Sequence, residues 1–208
     1  MQNVNYFRDR FIKFRGTARS TEKIMPNPKR PIGSLLVLGG ARSGKSRYAQ
    51  SLAEASGLRP LLIATAQAQD AEMALRIARH AALRDARWTL VEEPIALAGA
   101  LRREARKDRI VVVDCATLWL SNLLLKHDKL ATATQDLAQT VAGLAGPVIF
   151  VSNEAGCGIV PENPLARAFR DAQGLLNQAL AEACEGVVLV SAGIALCLKP
   201  AAEPNFRF

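Results

Sequence analysis

A glycine-rich stretch, GGARSGKS at residues 39–46, stands between a short apolar run and a longer amphipathic segment. It matches the pattern G-x-x-x-x-G-K-[ST], in which the glycines let successive backbone N–H groups point at phosphate oxygens. A helix that starts near Gly44 adds the positive end of its dipole. In this motif the lysine, here Lys45, contacts the β- and γ-phosphates, and the hydroxyl of Ser46 ligates Mg²⁺. The sequence therefore predicts a site for a nucleoside triphosphate.

The position of the motif argues against a chance glycine-rich turn, because the mechanism requires a strand before the loop and a helix after it. The predicted nucleotide-binding residues of this loop are Gly39, Gly40, Ala41, Arg42, Ser43, Gly44, Lys45 and Ser46. Asp114 directly follows the apolar run VVV at 111–113 and fits the carboxylate that holds Mg²⁺ opposite Ser46. The alternative is that Asp114 caps the helix that follows it; we favour the metal role.

From Ser34 onward, short apolar runs alternate with longer amphipathic segments. The predicted strands are 35–38, 61–65, 110–114, 148–152 and 187–191, with a further edge strand at 195–199. The predicted helices are 45–56, 71–83, 95–107, 118–125, 130–144 and 165–184. Fully apolar strands that alternate with helices predict an α/β fold with a mainly parallel sheet, covered by helices on both faces. Ligands of such sheets bind beyond the carboxyl ends of the strands.

The composition is that of a globular protein, and its charge is concentrated at the N-terminus. Of 208 residues, 50% are hydrophobic and 22% are charged, and no apolar run approaches the roughly 18–20 residues of a membrane span. Residues 1–33 carry +6 of the formal charge of +8. We predict a basic, flexible extension at 1–33 and one nucleotide-binding domain at 34–208. For the extension, a translation start at Met25, an organellar targeting segment and a nucleic-acid-binding arm are the alternatives.

The four cysteines are widely spaced and have neither a CxxC pair nor an adjacent histidine. They are Cys115, Cys157, Cys184 and Cys197. This spacing disfavours a zinc site and a disulfide framework, so we expect reduced thiols that mostly fill the core. Reduced thiols fit a cytoplasmic protein.

One of the two histidines lies in a distinctive setting. In the predicted helix after the second strand, Arg76, His80 and Arg84 follow one another at four-residue steps and form a cationic strip. Neighbouring arginines favour a neutral imidazole, which can attack phosphorus to give a covalent phosphoramidate. Spacing alone slightly favours the alternative, a core histidine packed beside Met73 and Ile77. The other histidine, His127, lies in a polar turn and is predicted to be solvated.

The fourth predicted strand leads into a loop and a long helix with one polar stripe. The stripe consists of Asn163, Arg167, Arg170, Gly174 and Asn177. A solvated helix face and a contact with a ligand or another subunit are equal alternatives for it. Gly174 costs about 1 kcal/mol in a helix interior relative to alanine, which suggests a close approach to the backbone there.

These segments together resemble one family, over about residues 35–199. The matching runs are GGARSGKS at 39–46, IATAQ at 63–67, RIARH at 76–80, Trp88 with EEP at 92–94, DCATLWLSNLL at 114–124, and VSNEAGCGIVPENPLARAFRDAQGLLNQ at 151–178. The chain resembles the bifunctional adenosylcobinamide kinase/adenosylcobinamide-phosphate guanylyltransferases of cobalamin biosynthesis. The long run at 151–178 is more specific than the phosphate loop. The resemblance implies a RecA-like P-loop fold and a homotrimer.

The same resemblance implies two activities and a set of site residues. The enzyme would phosphorylate adenosylcobinamide with ATP or GTP, and then transfer GMP from GTP to that phosphate through a guanylylated histidine. The histidine nucleophile corresponds to His80, which reverses the preference from spacing. Beyond the phosphate loop, the implied nucleotide contacts are Ala64, Thr65, Ala66, Ala81, Ala82, Leu83, Arg84, Glu92 and Asp114. Ala81 and Asp85 depart from the residues usual in the family, and no residue is indicated as the base of the kinase step.

Two other functions remain to be distinguished from this one. A monofunctional P-loop kinase of small molecules would use the phosphate loop and leave His80 with a structural role. A nucleic-acid-binding protein would depend on the basic extension, although no RNA-binding signature is present. The partners expected from the main hypothesis are adenosylcobinamide, its phosphate, ATP and GTP, with no nucleic acid and no membrane span.

Overall fold

A computed structural model describes residues 32–67, 85–126 and 129–200. The strands are β1 Ser34–Gly39, β2 Arg59–Ala64, β3 Thr89–Glu92, β4 Arg109–Asp114, β5 Val148–Asn153, β6 Gly186–Ser191 and β7 Ile194–Lys199. The helices are α1 Lys45–Ala55, α2 Leu97–Glu104, α3 Ala116–Leu125, α4 Leu130–Val141 and α5 Pro164–Ala183. Residues 1–31 of the predicted extension and the predicted helix 71–83 lie outside these residues, so the division at residue 33 stays a prediction.

The strands form one seven-stranded sheet in the order β3-β2-β4-β5-β1-β6-β7. All neighbouring strands are parallel except β6 and β7, which pair antiparallel at one edge. The prediction of a mainly parallel α/β sheet is therefore confirmed. Strand β1, which leads into the glycine-rich loop, lies in the interior of the sheet between β5 and β6.

Alternate side chains of the strands build a separate core on each face of the sheet. On one face, Val37, Val112 and Val151 belong to the cluster that packs with Ala49 and Ala53 of α1. On the opposite face, Leu36, Val113 and Phe150 join a larger cluster with residues from α2, α3, α4 and α5. Both faces are thus covered by helices, as continuous apolar strands require.

Two elements differ from the sequence prediction by more than small shifts of their ends. Strand β3 was not predicted, because its four residues are short of a typical strand and lie mostly exposed at the sheet edge. The helix predicted at 95–107 is shorter and forms α2. Its start is delayed because the Glu93 carboxylate accepts hydrogen bonds from the N–H groups of Ile95 and Ala96 at 3.1 and 2.7 Å. At its other end, Ala105 already has an extended backbone.

The longest helix, α5, is capped at both ends. Asn163 accepts hydrogen bonds from the N–H groups of Leu165 and Ala166 at 2.8 and 3.3 Å, and Pro164 occupies the first turn. At the other end, the Lys199 ammonium donates to backbone carbonyls of the last turn. No helix in the described part of the chain combines the length and the apolar character needed to cross a membrane.

Candidate functional site

The carboxyl ends of five neighbouring strands bring several predicted residues into one row. Ala64 at the end of β2 is in register with Glu92 of β3 on one side and with Asp114 of β4 on the other. On the same edge, Gly39 at the end of β1 is in register with Asn153 of β5. The structure therefore places Ala64, Glu92, Asp114 and the start of the phosphate loop along the edge where α/β sheets bind ligands.

The phosphate loop runs from the end of β1 into α1 without a side-chain cap. Arg42 and Gly44 have positive φ angles of 58° and 98°, and the Ser43 N–H donates to the Gly40 carbonyl at 3.2 Å. The helix opens with the Tyr48 N–H donating to the Gly44 carbonyl at 2.9 Å. An uncapped helix start leaves backbone N–H groups available to an anion, which suits a bound phosphate.

Lys45 is buried at the start of α1, where its ammonium donates to the Gly40 carbonyl at 3.0 Å. The side chain is thus folded over the loop, next to the backbone that the sequence motif assigns to phosphate. Ala41 and Arg42 are exposed at the outer side of the loop, whereas Ser43 and Ser46 are partly buried. The Ser43 Oγ atom is itself buried and has no hydrogen-bond partner in the described structure.

Gly39 occupies a position where no side chain fits. A Cβ atom there would lie 2.4 Å from Ser43 Oγ and 2.5 Å from the Val190 carbonyl oxygen. At Gly40, in contrast, a Cβ atom would meet no described atom within 4 Å. The two glycines of the GG pair therefore have different functions. Gly39 is required for close packing of the loop against β6, whereas the packing would leave room for a side chain at Gly40.

Asp114 lies at the end of β4 and does not cap the following helix. The N-cap of α3 is Cys115, and no side-chain hydrogen bond caps that helix. The capping alternative is therefore wrong, and the carboxylate is left at the sheet edge. Burial and, to a smaller extent, the nearby Asp114 charge raise the pKa of the Cys115 thiol to about 11, while backbone hydrogen bonds and the Lys45 charge oppose the shift. Strand β5 alone separates β4 from β1, so Asp114 and the loop that carries Lys45 lie at the same edge of the sheet.

Thr65, predicted to contact nucleotide, is fully buried and bound to the chain after β4. Its hydroxyl donates to the Cys115 carbonyl at 2.7 Å and accepts from the Cys115 N–H at 3.0 Å. The Asn122 amide of α3 donates to the Thr65 carbonyl at 2.8 Å and to the Pro94 carbonyl at 3.1 Å. These bonds hold the chain segments after β2, β3 and β4 together.

The DCATLWLSNLL run at 114–124 thus has a structural explanation in α3. Trp119 is buried, and its indole N–H donates to the Ile95 carbonyl at 2.7 Å. Asn122, one turn further along, makes the two bonds described above. These side chains were part of the family resemblance but had no assigned role in the sequence, because periodicity alone does not distinguish a buried hydrogen-bonding asparagine from a surface residue.

The residue after the buried part of β5, Asn153, is fixed through its backbone on both sides. Its N–H donates to the Thr117 hydroxyl at 2.8 Å, and its carbonyl accepts from the Asn177 amide at 3.0 Å. The next N–H, of Glu154, donates to the Gly39 carbonyl at 3.0 Å. The end of β5 is therefore positioned between the phosphate loop and Asp114. The sequence indicated Asn153 only as part of a binding loop and did not place it beside the phosphate loop, because strand order decides its neighbours.

A buried polar network connects this strand end to α5. The Ser152 hydroxyl donates to Asn177 Oδ1 at 2.7 Å, and Gln173 Nε2 donates to both at 2.9 Å. Asn177 is buried, so the alternative of a solvated face is wrong at that residue of the predicted stripe. Around Gly174, a Cβ atom would meet nothing within 4 Å, so no described residue accounts for this glycine.

Several predicted residues lie outside the described structure. They are His80, Ala81, Ala82, Leu83 and Arg84, together with Arg76 and the second histidine, His127. Their roles stay predictions. Among the described residues, no group of three or more histidine, cysteine, aspartate or glutamate side chains could hold a metal ion. The predicted magnesium ligands, Ser46 and Asp114, form with phosphate oxygens a hard-oxygen set that suits this cation.

Comparison with known proteins identifies the family. The family model described as cobinamide kinase / cobinamide phosphate guanyltransferase matches residues 35–198. The chain belongs to this family. It is similar to the bifunctional adenosylcobalamin biosynthesis protein CobP of Pseudomonas aeruginosa, with 52% identity over 166 residues, 79% of this chain and 96% of that protein. It is also similar to the bifunctional adenosylcobalamin biosynthesis protein CobU of Escherichia coli K12, with 38% identity over 180 residues, 79% of this chain and 99% of that protein.

Solved structures show more distant likeness. A Pyrococcus horikoshii protein from a structural study of project PH0250 has a TM-score of 0.49 and 12% identity over 84% of this chain and 90% of that chain. The RadB recombinase has a TM-score of 0.41 and 18% identity over 75% and 73% of the two chains. Such likeness concerns the fold alone. The predicted RecA-like P-loop class rests on the parallel sheet with its phosphate loop after an interior strand, and this arrangement confirms it.

Proposed function

We propose that this member of the cobinamide kinase family carries out both reactions in its family's name at a single nucleotide site. The phosphate loop, Lys45 and Asp114 would bind the nucleotide, and His80 would carry GMP between donor and acceptor. The observation that supports this most directly is the position of Asp114 and the phosphate loop at the carboxyl edge of the sheet, on either side of the end of β5. Cations and backbone N–H groups gathered there suit the charge that develops on a transferring phosphate.

In the kinase step, the hydroxyl of adenosylcobinamide attacks the γ-phosphorus of ATP or GTP. The bond from that phosphorus to the bridging oxygen breaks, and the nucleoside diphosphate leaves. Backbone N–H groups of residues 39–46 and the Lys45 ammonium would hold the phosphates and stabilise the charge on the leaving oxygen. Mg²⁺, when bound by Ser46 and Asp114, would supply further positive charge at these oxygens.

In the guanylyl step, a neutral imidazole nitrogen of His80 attacks the α-phosphorus of GTP, and pyrophosphate leaves. The phosphate of adenosylcobinamide phosphate then attacks the same phosphorus, the bond to the imidazole breaks, and adenosylcobinamide-GDP forms. The histidine is thus restored. A covalent relay divides one displacement into two easier ones and lets donor and acceptor use the site in turn.

Asn153 is an additional candidate for positioning phosphate or the attacking hydroxyl. Its backbone is held from both sides by Thr117 and Asn177. No described residue hydrogen-bonds its side-chain amide, which is able both to donate and to accept. Because β5 lies between β1 and β4, Asn153 lies between the phosphate loop and Asp114. A fixed backbone with an available amide fits a positioning role in the transfer.

The experiment that tests the proposal is labelling with α-³²P-GTP and Mg²⁺. Wild type and His127→Ala should acquire an acid-labile, alkali-stable label, and His80→Ala should acquire none. Phosphorylation of adenosylcobinamide from γ-³²P-ATP should continue in His80→Ala. Equal labelling of wild type and His80→Ala, or of neither, would remove His80 from the mechanism and leave a monofunctional kinase.

The nucleic-acid alternative is tested by deletion of residues 1–24. The enzyme should keep both transfer activities without this segment, whereas a nucleic-acid-binding function would be lost with it. We further propose a homotrimer, as the family resemblance implies, and a reducing cytoplasmic location, which fits the free thiols. Light scattering of the purified protein measures its oligomeric state.

A further inference from the structure

The loop at residues 154–163, which we call the β5–α5 loop, begins at the phosphate site. Its first residue, Glu154, donates its N–H to the carbonyl of Gly39, the residue that opens the phosphate loop. The preceding residue, Asn153, is the strand end positioned between Gly39 and Asp114. An acceptor that approaches the terminal phosphate of a nucleotide held by residues 39–46 therefore comes close to this loop.

The loop is held in shape by its own side chains at both ends. Near its start, the Glu154 carboxylate accepts from the Gly156 N–H at 2.8 Å. Near its end, the Arg167 guanidinium donates to the Pro161 and Glu162 carbonyls at 2.9 and 2.6 Å. Asn163 then caps α5. These bonds limit the conformations of the loop, so what it presents between them is presented in a defined arrangement.

Between its two hydrogen-bonded ends, the loop exposes apolar side chains. Ile159 is 97% exposed and Val160 is 58% exposed. The charged groups of the loop are the two carboxylates, Glu154 and Glu162, and its nearest cation, Arg167, is engaged by carbonyl oxygens. A surface with this composition is unsuited to a second nucleotide or another anion. It suits a large ligand with an apolar, uncharged periphery.

We infer that Ile159 and Val160 of the β5–α5 loop bind the corrin ring of the acceptor. This inference rests on the proposed function. The periphery of a corrin macrocycle carries methyl groups and uncharged amides, and the hydroxyl to be phosphorylated hangs from it on a flexible arm. Apolar contacts on the ring at the β5–α5 loop would let the arm reach the phosphate loop, where Glu154 and Gly39 join the two segments.

Equilibrium dialysis against cobinamide tests this inference, because the visible absorbance of the corrin reports binding without turnover. The double variant Ile159→Ser, Val160→Ser should bind cobinamide about tenfold more weakly, the effect of losing part of two apolar contacts. Its affinity for GTP should be unchanged. The conservative variant Ile159→Leu should keep wild-type affinity for cobinamide.

The matched control is Leu198→Ser, which removes an exposed apolar side chain from the edge strand β7; its exposure of 46% is comparable to that of Val160. It should leave the affinities for cobinamide and GTP unchanged.

Unchanged binding of cobinamide by the double variant would overturn the inference. So would an accompanying change of oligomeric state in light scattering, because Ile159 and Val160 would then belong to a subunit interface. Wild type that binds cobinamide but acquires no label from α-³²P-GTP would refute the guanylyl relay alone.

Discussion

The backbone N–H of Gly193, in the turn between β6 and β7, donates a hydrogen bond to the Ser43 carbonyl of the phosphate loop at 2.8 Å. The two residues of this turn, Ala192 and Gly193, have positive φ angles of 51° and 80°, as a tight two-residue hairpin turn requires. A Cβ atom at Gly44 would lie 3.4 Å from Gly193 Cα. The β6–β7 hairpin therefore supports the phosphate loop, although the two segments are far apart in the sequence.

This contact predicts that Gly193→Ala weakens nucleotide binding. Alanine at a positive φ costs about 1 kcal/mol relative to glycine, so the turn shifts and its bond to Ser43 weakens. Calorimetric titration with GTP should show a several-fold loss of affinity. Ala192→Gly is the matched control: it relieves the same strain one residue earlier and should raise the unfolding free energy by up to about 1 kcal/mol. Wild-type GTP affinity in Gly193→Ala would contradict the supporting role.

The GG pair of the phosphate loop predicts two different effects of the same substitution. Gly39→Ala places a methyl group against Ser43 Oγ and the Val190 carbonyl, so we expect a loss of about 2 kcal/mol in the unfolding free energy without ligand. Gly40→Ala meets nothing and should change stability by less than about 0.5 kcal/mol. Urea denaturation of the nucleotide-free proteins measures both. Equal losses would show that the close packing is not specific to Gly39.

The buried network behind β5 predicts a large cost for Asn177→Ala. The substitution removes the acceptor of the Ser152 hydroxyl, which then keeps only the bond from Gln173, and it removes the side-chain donor to the Asn153 carbonyl. Each lost partner of a buried group costs about 1–3 kcal/mol. We expect a loss of about 3 kcal/mol in stability and, since Asn153 loses its positioning, a reduced rate of transfer. The neighbouring exposed residue supplies the control, Gln178→Ala, which should change neither quantity.

The sequence predicted the strands of the sheet interior well because each is a short, continuous apolar run. Strands β1, β4, β5 and β6 are buried on both faces, and such runs have few other solutions. Strand β3 escaped prediction since it is an exposed four-residue edge strand that is defined by its pairing with β2. The sequence pattern likewise did not predict the order of the strands in the sheet, because that order depends on which pairs of strands bury the most surface.

For the site, the sequence supplied the residues with a local signature and missed those that act through distant contacts. Lys45 belongs to a contiguous motif, and Asp114 ends an apolar run, so both could be assigned from neighbours in the chain. Gly193 and Asn177 could not, because each contacts the site across a long stretch of sequence. Asn177 also gave a misleading signal: its place in a polar helical stripe is typical of a solvated face, whereas it is buried.

The two buried cysteines predict that stability falls at alkaline pH. Burial raises the pKa of Cys115 to about 11 and that of Cys184 to about 12 in the folded state, from 9.0. Above about pH 9 the unfolded thiols release protons that the folded ones retain, so the free energy of unfolding decreases as pH rises. By pH 10 each thiol should account for about 1 kcal/mol of that decrease.

Urea denaturation at pH 8 and pH 10 measures the effect. In Cys184→Ala the decrease between these pH values should be smaller by the contribution of that thiol. Cys157→Ala removes an exposed thiol and should leave the decrease as in wild type. The same decrease in all three proteins would mean that Cys184 ionises in the folded state as readily as in the unfolded chain.

The ammonium of Lys199, at the end of β7, donates to the carbonyls of Ala181, Glu182 and Cys184 at 2.9, 3.0 and 2.6 Å. A cation at a helix C-terminus satisfies carbonyls that have no partner within the helix and interacts favourably with the helix dipole. Lys199→Met keeps the aliphatic part of the side chain and removes the charge, so we expect a loss of about 1–2 kcal/mol in the unfolding free energy. The matched control, Lys107→Met, removes an equal charge from an exposed turn and should change stability by less than about 0.5 kcal/mol.

The same substitution should increase hydrogen exchange at the C-terminus of α5, the helix that also carries Gln173 and Asn177. Fraying in Lys199→Met should increase exchange first at Leu180 and later at Asn177. Equal protection of these amides in wild type and Lys199→Met would show that the cap is dispensable.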